Sequence, residues 1–338
     1  MGKAGAARKL AAAAAFGGGG LSVVGASLYG VLRAEAVLAR RQIGNADGEP
    51  PGATGWYGRG RPGPAIKMVL LGDSSAAGYG VESVQETPGA HLASGLAEGA
   101  DRRIYLRSVA SVGAQTRDLS RQIDKALSIE PQVAVIMVGA NDVTHTRRPS
   151  ESVRLLEAAV RRLRDAGAEV VVGTCPDLGT IEPIAPPLRQ VARVWSRRLA
   201  AAQTIATVEA GGRTVSLGSL LGADVPTTPT FFGPDRFHPS ADGYSTLAAV
   251  LLPSLLAAVG VIPLEDLVPE AHRGEAILPI SQAAVEAART PGTEIDGTAI
   301  AGATRGTRGR WVQLRRRRRQ PESDVETPQR TESQPQQA

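Results

Sequence analysis

The chain has 338 residues, of which 42% are hydrophobic and 21% are charged, which allows one large domain or two small ones with an ample core. The net charge of +5 equals the charge of the five arginines at 315–319, so the rest of the chain is near neutral. A protein that binds genomic DNA is therefore not indicated. The single cysteine, Cys175, excludes an intramolecular disulfide and a cysteine-rich metal site.

The first 43 residues have the pattern of a targeting segment. Residues 2–9 carry three basic residues and no acid, and residues 10–32 carry no charge at all. This pattern predicts an exported signal sequence or an uncleaved membrane anchor, and therefore a place in the cell envelope. An Ala-rich soluble helix is the alternative, but the four glycines at 17–20 disfavour it. Whether the segment is cleaved stays open.

Residues 44–65 are rich in Gly and Pro and are interpreted as a linker. Strand and helix patterns then alternate through residues 66–262. The predicted strands cover 66–71, 103–109, 133–138, 169–173 and 213–217, and the predicted helices cover 87–100, 116–127, a segment from about 150, 188–206 and 241–259. Such alternation predicts an α/β domain, a parallel sheet of five strands with helices on both faces.

The pattern fades after the last predicted helix. Residues 247–264 are apolar enough for a second membrane span, but Pro253 and Pro263 favour a buried closing helix. Residues 263–304 are predicted to be a weakly structured extension, and residues 305–338 a disordered tail that is rich in Arg and then polar. The arginine run could contact anionic lipid or nucleic acid, although a simply solvated run is the favoured interpretation.

The chemistry is predicted to lie at the ends of the strands. Ligands of open α/β sheets bind outside the carboxyl ends of the strands. Gly72, Asp73 and Ser74 follow the first strand, which places a hydroxyl where a nucleophile is expected. Because a serine alone is a weak nucleophile, it needs a base.

The four histidines of the chain are His91, His145, His238 and His272. His238 follows Asp235 by three residues, so the carboxylate can bind Nδ1 and leave Nε2 to take the serine proton. His145 is the main rival, because it lies in the loop of Asn141. The alternative is that Asp235 is an ordinary surface residue that lies beside His238 by chance and has no catalytic role.

Acyl transfer also needs donors for an oxyanion. The backbone N–H of Ser74, the N–H of Gly113 and the amide of Asn141 each follow a predicted strand. Taken one at a time, Gly113 is as well explained as a turn glycine and Asn141 as a helix cap. Together, the three donors would converge on one point.

Four short blocks in this order resemble the GDSL/SGNH hydrolase family, in particular its actinobacterial esterases. They are Gly72-Asp73-Ser74, Gly113, Gly139-Ala140-Asn141-Asp142 and Asp235-Arg236-Phe237-His238. The resemblance covers residues 66–262 and implies a three-layer α/β/α sandwich, the flavodoxin-like fold of these hydrolases. It also implies a Ser74–His238–Asp235 triad and an oxyanion hole of Ser74, Gly113 and Asn141. The family name has leucine where this chain has Ser75, which is a rival nucleophile behind Ser74.

The sequence therefore predicts a serine esterase that cleaves carboxylic esters of small molecules or lipids through an acyl-enzyme, without metal or cofactor. Its rate should fall in acid, as the imidazole takes up a proton. A silent binder of acylated sugars or lipids, an acyltransferase and a membrane-tethered interaction protein are the alternatives. The acyl chain, the alcohol, the orientation in the membrane and the oligomeric state are not readable from the sequence.

Overall fold

The computed structural model describes residues 30–32, 34–35, 37–38, 49–181, 183–221, 231–261, 275–297 and 311–316. The strands are β1 Gly55–Tyr57, β2 Ile66–Gly72, β3 Ile104–Ser108, β4 Val133–Met137, β5 Glu169–Gly173, β6 Arg213–Val215, β7 Ala276–Pro279, β8 Thr293–Gly297 and β9 Trp311–Arg316. The α-helices are α1 Ser74–Ala77, α2 Pro88–Ala100, α3 Leu119–Ala126, α4 Ala140–Thr144, α5 Pro149–Asp165, α6 Leu188–Glu209, α7 Ala241–Ala258 and α8 Ile280–Ala287. Short 3-10 turns cover Val84–Glu86, Thr116–Asp118, Leu127–Ile129, Leu178–Thr180 and Gly218–Leu221.

All described strands belong to one sheet, in the order β1-β3-β2-β4-β5-β6-β8-β9-β7. The five central strands, β3-β2-β4-β5-β6, pair in parallel. Helices cover both faces, so the prediction of an α/β fold with a parallel central sheet is confirmed. The five parallel strands are the predicted ones, with bounds that differ by at most two residues at either end.

Side chains alternate between the two faces of each strand, and this alternation builds two separate cores. In β2, Met68 and Leu70 enter the core under α2 and α7, whereas Val69 and Leu71 enter the core under α3 and α5. Both cores are fully buried at these positions. The sheet is therefore rigidly held from both sides, which fixes the strand ends where the polar blocks begin.

The order of the parallel strands creates a crevice at one place. The chain leaves β2, crosses to β3 on one side, and later returns to β4 on the other side of β2. In open α/β sheets such a reversal of strand order opens a crevice at the carboxyl ends of the strands. Ser74 follows β2 and Asn141 follows β4, so both flank this crevice.

The sheet is larger than the sequence predicts, because four antiparallel strands extend the five parallel ones. β1 lies inside the predicted linker of residues 44–65 and pairs with β3. β7, β8 and α8 lie inside the predicted weak extension of residues 263–304. The predicted boundaries of the folded domain, 66–262, are therefore too narrow. These strands have three to five residues, which is too short for a periodicity to stand out from the surrounding Gly and Pro.

The predicted disordered tail is wrong for residues 311–316, which form β9 between β7 and β8. Arg315 lies opposite Glu294 of β8, and both are about 1% exposed. Glu294 also accepts a hydrogen bond from Arg213 at 3.0 Å. Two of the five arginines therefore lie within the sheet: Arg315 is opposite Glu294, and Arg316 Nη2 lies 3.4 Å from Glu286 Oε1. The sequence pattern shows the charges but not these partners. Residues 317–338 lie outside the described residues.

Within the described residues, α7 is the one helix that is long and apolar enough to cross a membrane. It packs against α2 and places Leu247, Leu251 and Leu255 in the core over the sheet. Those contacts support the interpretation of a buried closing helix. Most of the predicted targeting segment, residues 1–29, lies outside the described residues.

Candidate active site

Ser74 is held at the start of α1, directly after β2. Asp73 caps this short helix, because its Oδ1 accepts a hydrogen bond from Ser75 N at 3.0 Å. Gly72 has a φ of +140°, and a Cβ at this position would lie 1.9 Å from the carbonyl oxygen of Met137. Only glycine allows β2 to approach the end of β4 this closely. The turn that carries Ser74 therefore depends on the glycine of its block.

His238 lies between Ser74 and Asp235. Its Nε2 is 3.0 Å from Ser74 Oγ, and its Nδ1 is 2.6 Å from Asp235 Oδ2. An ionised carboxylate can only accept, so Nδ1 carries the hydrogen and Nε2 is free to accept from the serine hydroxyl. The three side chains are nearly enclosed, with exposed fractions of 12% for His238 and 10% for Asp235. The structure thus brings together residues that lie 164 positions apart in the sequence.

A tight turn fixes the geometry of Asp235 and His238. Arg236 has a φ of +53°, and Gly233 N donates to His238 O at 2.9 Å. Asp235 Oδ1 accepts from the backbone N–H groups of Phe237 and His238, each at 3.0 Å. Burial raises the pKa of Asp235, but the hydrogen bonds from His238 and from these N–H groups outweigh it and leave the pKa below its ordinary value. The carboxylate is therefore kept ionised.

Aromatic side chains, which the sequence does not single out, hold the imidazole from two sides. The ring of Tyr79 meets His238 edge-on with centroids 4.7 Å apart, and Phe237 does so at 4.8 Å. Tyr244, fully buried in α7, donates its hydroxyl to Tyr79 O at 2.8 Å. The last helix thereby positions the loop after Ser74 against the imidazole. Phe237 lies within one block and Tyr79 follows shortly after another, and this placement is the signal that could have identified them.

The other predicted donors are linked to the Ser74 turn by hydrogen bonds. Ser111 N donates to Gly72 O at 3.1 Å, which ties the Gly113 loop to the end of β2. Asn141 Nδ2 donates to Ala114 O at 3.0 Å, which ties α4 to the same loop. Gly113 has a φ of +77° and open space around the position of a Cβ. The blocks that contain Ser74, Gly113 and Asn141 therefore meet at one edge of the sheet.

Two buried glutamines, also missed by sequence reasoning, fasten these strand ends. Gln122 of α3 both accepts from Gly72 N and donates to Gly72 O, each at 2.8 Å. Gln203 of α6 accepts from Cys175 N at 2.7 Å and donates to Val138 O at 2.9 Å. A side-chain amide can replace a backbone partner where a strand has none. The helices behind the sheet thus fix the ends of β2, β4 and β5.

Two further carboxylates are buried beside the site. Asp142 accepts hydrogen bonds from Thr116 N, Thr116 Oγ1 and Ser152 Oγ at 2.7–3.1 Å, and it joins α4 to α5. Burial raises the pKa of Asp73 to about 6, although hydrogen bonds from Ser75 and the charge of His238 oppose that rise. Both groups support the backbone around the site.

The rival residues lie elsewhere or are engaged locally. His145 is exposed, and its Nδ1 lies 2.8 Å from Asn141 O. The N–H of Ser75 is bound to Asp73. His91 lies in α2, as expected, and His272 falls outside the described residues. Cys175 is buried, and burial raises the pKa of its thiol well above the ordinary value, which disfavours a nucleophilic role. The part of the chain that the structure describes holds no cluster of metal-ligating side chains.

A cavity of about 40 Å³ opens next to Ser74 and Asn141. Its lining includes Met137 and Gly173, at the carboxyl ends of β4 and β5. Its walls are mainly apolar and come from the loop after β5, the turn after β6 and α7; they include Leu178, Ile181, Leu217, Leu220 and Leu247.

Comparison with known proteins assigns the family. The model of the GDSL-like lipase/acylhydrolase family matches residues 70–245, more than half of the chain. The chain belongs to the GDSL-like lipase/acylhydrolase family. A similar protein from Mycobacterium tuberculosis, named GDSL-like esterase Rv1075c, is 41% identical over 263 residues, which cover 74% of this chain and 83% of that protein. The prediction of a carboxylic ester hydrolase is confirmed at this level.

Solved structures with low sequence identity are also similar. TesA is 18% identical, with a TM-score of 0.44, and the match covers 58% of this chain and 99% of TesA. The acetylxylan esterase Axe2 from Geobacillus stearothermophilus is 18% identical, with a TM-score of 0.45, over 58% of this chain and 94% of Axe2.

Proposed function

We propose that this GDSL-family enzyme hydrolyses carboxylic esters with Ser74 as nucleophile, His238 as general base and Asp235 as the group that orients the imidazole. One observation carries the proposal. The 3.0 Å contact from Ser74 Oγ to His238 Nε2 gives the serine proton an acceptor, and the 2.6 Å contact from Nδ1 to Asp235 holds the imidazole in the tautomer that can take it. The similarity to a protein named an esterase is consistent with it.

The reaction begins when Ser74 Oγ attacks the ester carbonyl and its proton passes to His238 Nε2. Asp235 stabilises the resulting imidazolium, because its lowered pKa keeps it negatively charged. The imidazolium then donates the proton to the leaving alcohol, and an acyl-Ser74 ester remains. Water, activated by the same imidazole, releases the acid and restores the serine hydroxyl.

The negative oxygen of the tetrahedral intermediate needs donors that are in place before the reaction. We assign this role to the N–H groups of Ser74 and Gly113 and to Asn141 Nδ2. The bond from Nδ2 to Ala114 O uses one of its two hydrogens and fixes the direction of the other. The open space around Gly113 allows a substrate oxygen to approach its N–H.

The experiment compares Ser74→Ala with Ser75→Ala on a p-nitrophenyl acyl ester. We expect Ser74→Ala to lose activity by about 10³-fold or more, and Ser75→Ala to keep most of it. A fluorophosphonate probe should label the wild-type protein and the Ser75→Ala variant but not Ser74→Ala. Undiminished turnover or labelling of Ser74→Ala would contradict the assignment of Ser74 as the nucleophile.

We further propose that the enzyme works in the cell envelope, anchored or exported through residues 10–32. The uncharged length of that segment supports this, because about 20 apolar residues span a bilayer. The full chain should sediment with membranes or be exported, whereas a chain that begins at residue 44 should stay in the soluble cell fraction. The same distribution for both chains would contradict the proposal.

A further inference from the structure

The cavity beside Ser74 has no role in the proton transfer described above. Ser74 and Asn141 both line it, so it begins where the acyl carbon would be attacked. Ile181, Leu178 and Met137 in its wall are almost fully buried. A mainly apolar space next to Ser74 suits the acyl chain of a substrate better than a polar leaving alcohol, which needs a route to solvent.

We propose that this cavity is the acyl pocket and that its size restricts the enzyme to esters of short, unbranched, apolar acids. The inference rests on the proposed function, because it requires Ser74 to be the acylated residue. Its volume of about 40 Å³ is far below the roughly 150 Å³ of an apolar cavity that holds a benzene ring. An acetyl or butyryl group fits such a space, whereas a fatty acyl chain does not.

Substitutions at two residues should change the accepted acyl length in opposite senses, one by reducing the cavity and one by enlarging it. A Cβ on Gly173 would lie 3.0 Å from Leu217 Cδ1 and 3.2 Å from Met137 Cγ, so it would crowd the cavity against two other lining side chains. Ile181 fills the wall with a fully buried branched side chain, and its truncation would enlarge the space. Gly173→Ala should therefore shorten the accepted acyl chain, and Ile181→Ala should lengthen it.

Thr174 supplies a matched control within the same cavity. It is about 1% exposed, and its hydroxyl has no hydrogen-bond partner among the described residues. Thr174→Val keeps the shape of the side chain and removes no hydrogen bond. This variant should leave the accepted acyl length unchanged, because the proposal depends on volume alone.

The test measures kcat/KM of the full chain for p-nitrophenyl esters with acyl chains of two to twelve carbons. A parallel series keeps the acetyl group and varies the length of a primary alcohol. For the wild type, we expect the maximum at two to four acyl carbons and a fall of about tenfold or more at eight carbons. Gly173→Ala should lower the ratio of butyrate to acetate by about tenfold, and Ile181→Ala should move the maximum by at least two carbons.

Ile181→Val is the milder substitute if the alanine variant does not fold, and it should raise the ratio of hexanoate to acetate by at least about threefold. Equal wild-type rates for two and twelve acyl carbons would overturn the proposal. A folded Ile181 variant with an unchanged profile, or one in which only the alcohol series shifts, would overturn it as well. If Thr174→Val shifted the acyl profile as far as the volume variants, volume would not be the determinant.

These results are distinguishable from a failure of the proposed function. If Ser74→Ala is inactive and neither the Gly173 nor the Ile181 variant changes the acyl-length profile, the catalytic assignment is supported and the pocket assignment is wrong. If Ser74→Ala remains active, reaction occurs elsewhere and both assignments fall.

Discussion

The side-chain amide of Gln122 hydrogen-bonds both backbone groups of Gly72, two residues before Ser74. Gly72 N donates to Oε1 and Nε2 donates to Gly72 O, each at 2.8 Å. Gln122 is 5% exposed, so water does not readily replace it. The helix behind the sheet therefore fixes the position of Ser74, the proposed nucleophile, from outside the site.

We predict that Gln122→Leu lowers kcat by about 10- to 100-fold with little change in KM, because a displaced nucleophile slows chemistry more than binding. Gly72 N–H would be left buried without its partner, which costs about 1–3 kcal/mol of unfolding free energy. Steady-state kinetics and urea unfolding check the two effects. Gln132→Leu is the control, since Gln132 binds Lys67 N near the opposite end of β2. An unchanged kcat in folded Gln122→Leu would contradict the positioning role.

Asp235→Asn should lower kcat by about 10³- to 10⁴-fold on short acyl esters. An amide can donate to Nδ1, which favours the imidazole tautomer that cannot accept the serine proton. Asp242→Asn serves as the control, because Asp242 is an exposed acid in the first turn of α7. A loss below tenfold would show that the imidazole does not depend on this carboxylate.

The buried acid before Ser74, Asp73, predicts a pH-dependent stability. The pKa of Asp73 rises from its ordinary 3.8 to about 6 because burial disfavours the charged form. Between these values the folded state binds more protons than the unfolded state, so unfolding free energy falls as the pH rises from 4 through 6. A shift of that size corresponds to about 3 kcal/mol.

Asp73→Asn should remove this contribution and keep the cap, since Asn is as good a cap as Asp. Urea unfolding at pH 4.5 and pH 7.5 should show the wild type losing more stability than the variant as the pH rises. Asp124→Asn, at an exposed acid paired with Arg162, should behave like the wild type. Parallel pH profiles for wild type and Asp73→Asn would refute the prediction.

The C-terminal strand should contribute to stability. Because β9 lies between β7 and β8, a chain that ends at residue 310 loses the neighbour of both strands. It also leaves Glu294 without the opposed Arg315. We expect a lower Tm for this chain, by several degrees, in thermal unfolding followed by circular dichroism. A chain that ends at residue 316 keeps β9 and is the control; equal Tm values for the two would contradict the prediction.

The sequence predicts those helices and strands whose residues form a continuous local pattern. β4 is an uninterrupted run of apolar residues, β5 has three consecutive valines after Glu169, and Thr87 with Pro88 marks a helix start, so these elements were readable within one or two residues. β1 and β9 were not, because they depend on partners distant in the chain. Arg315 looks solvated in the sequence, and only its register with Glu294 explains its burial.

The same distinction applies to the site. Ser74, Asp235 and His238 were recognisable because each lies in a short block of characteristic residue types. Gln122, Gln203 and Tyr244 were not, because a glutamine or tyrosine on an amphipathic helix has no feature that predicts a bond to a strand end. Their contribution appears only when the helices are packed on the sheet.

The two outermost strands of the sheet are also its shortest or nearly so: β1 has three residues, and β7 has four and ends at Pro279. Unpaired backbone groups along a sheet margin invite strands of other molecules to add on. Here either margin offers too few such groups for a stable foreign strand. The sheet is therefore expected to resist fibre-like self-association.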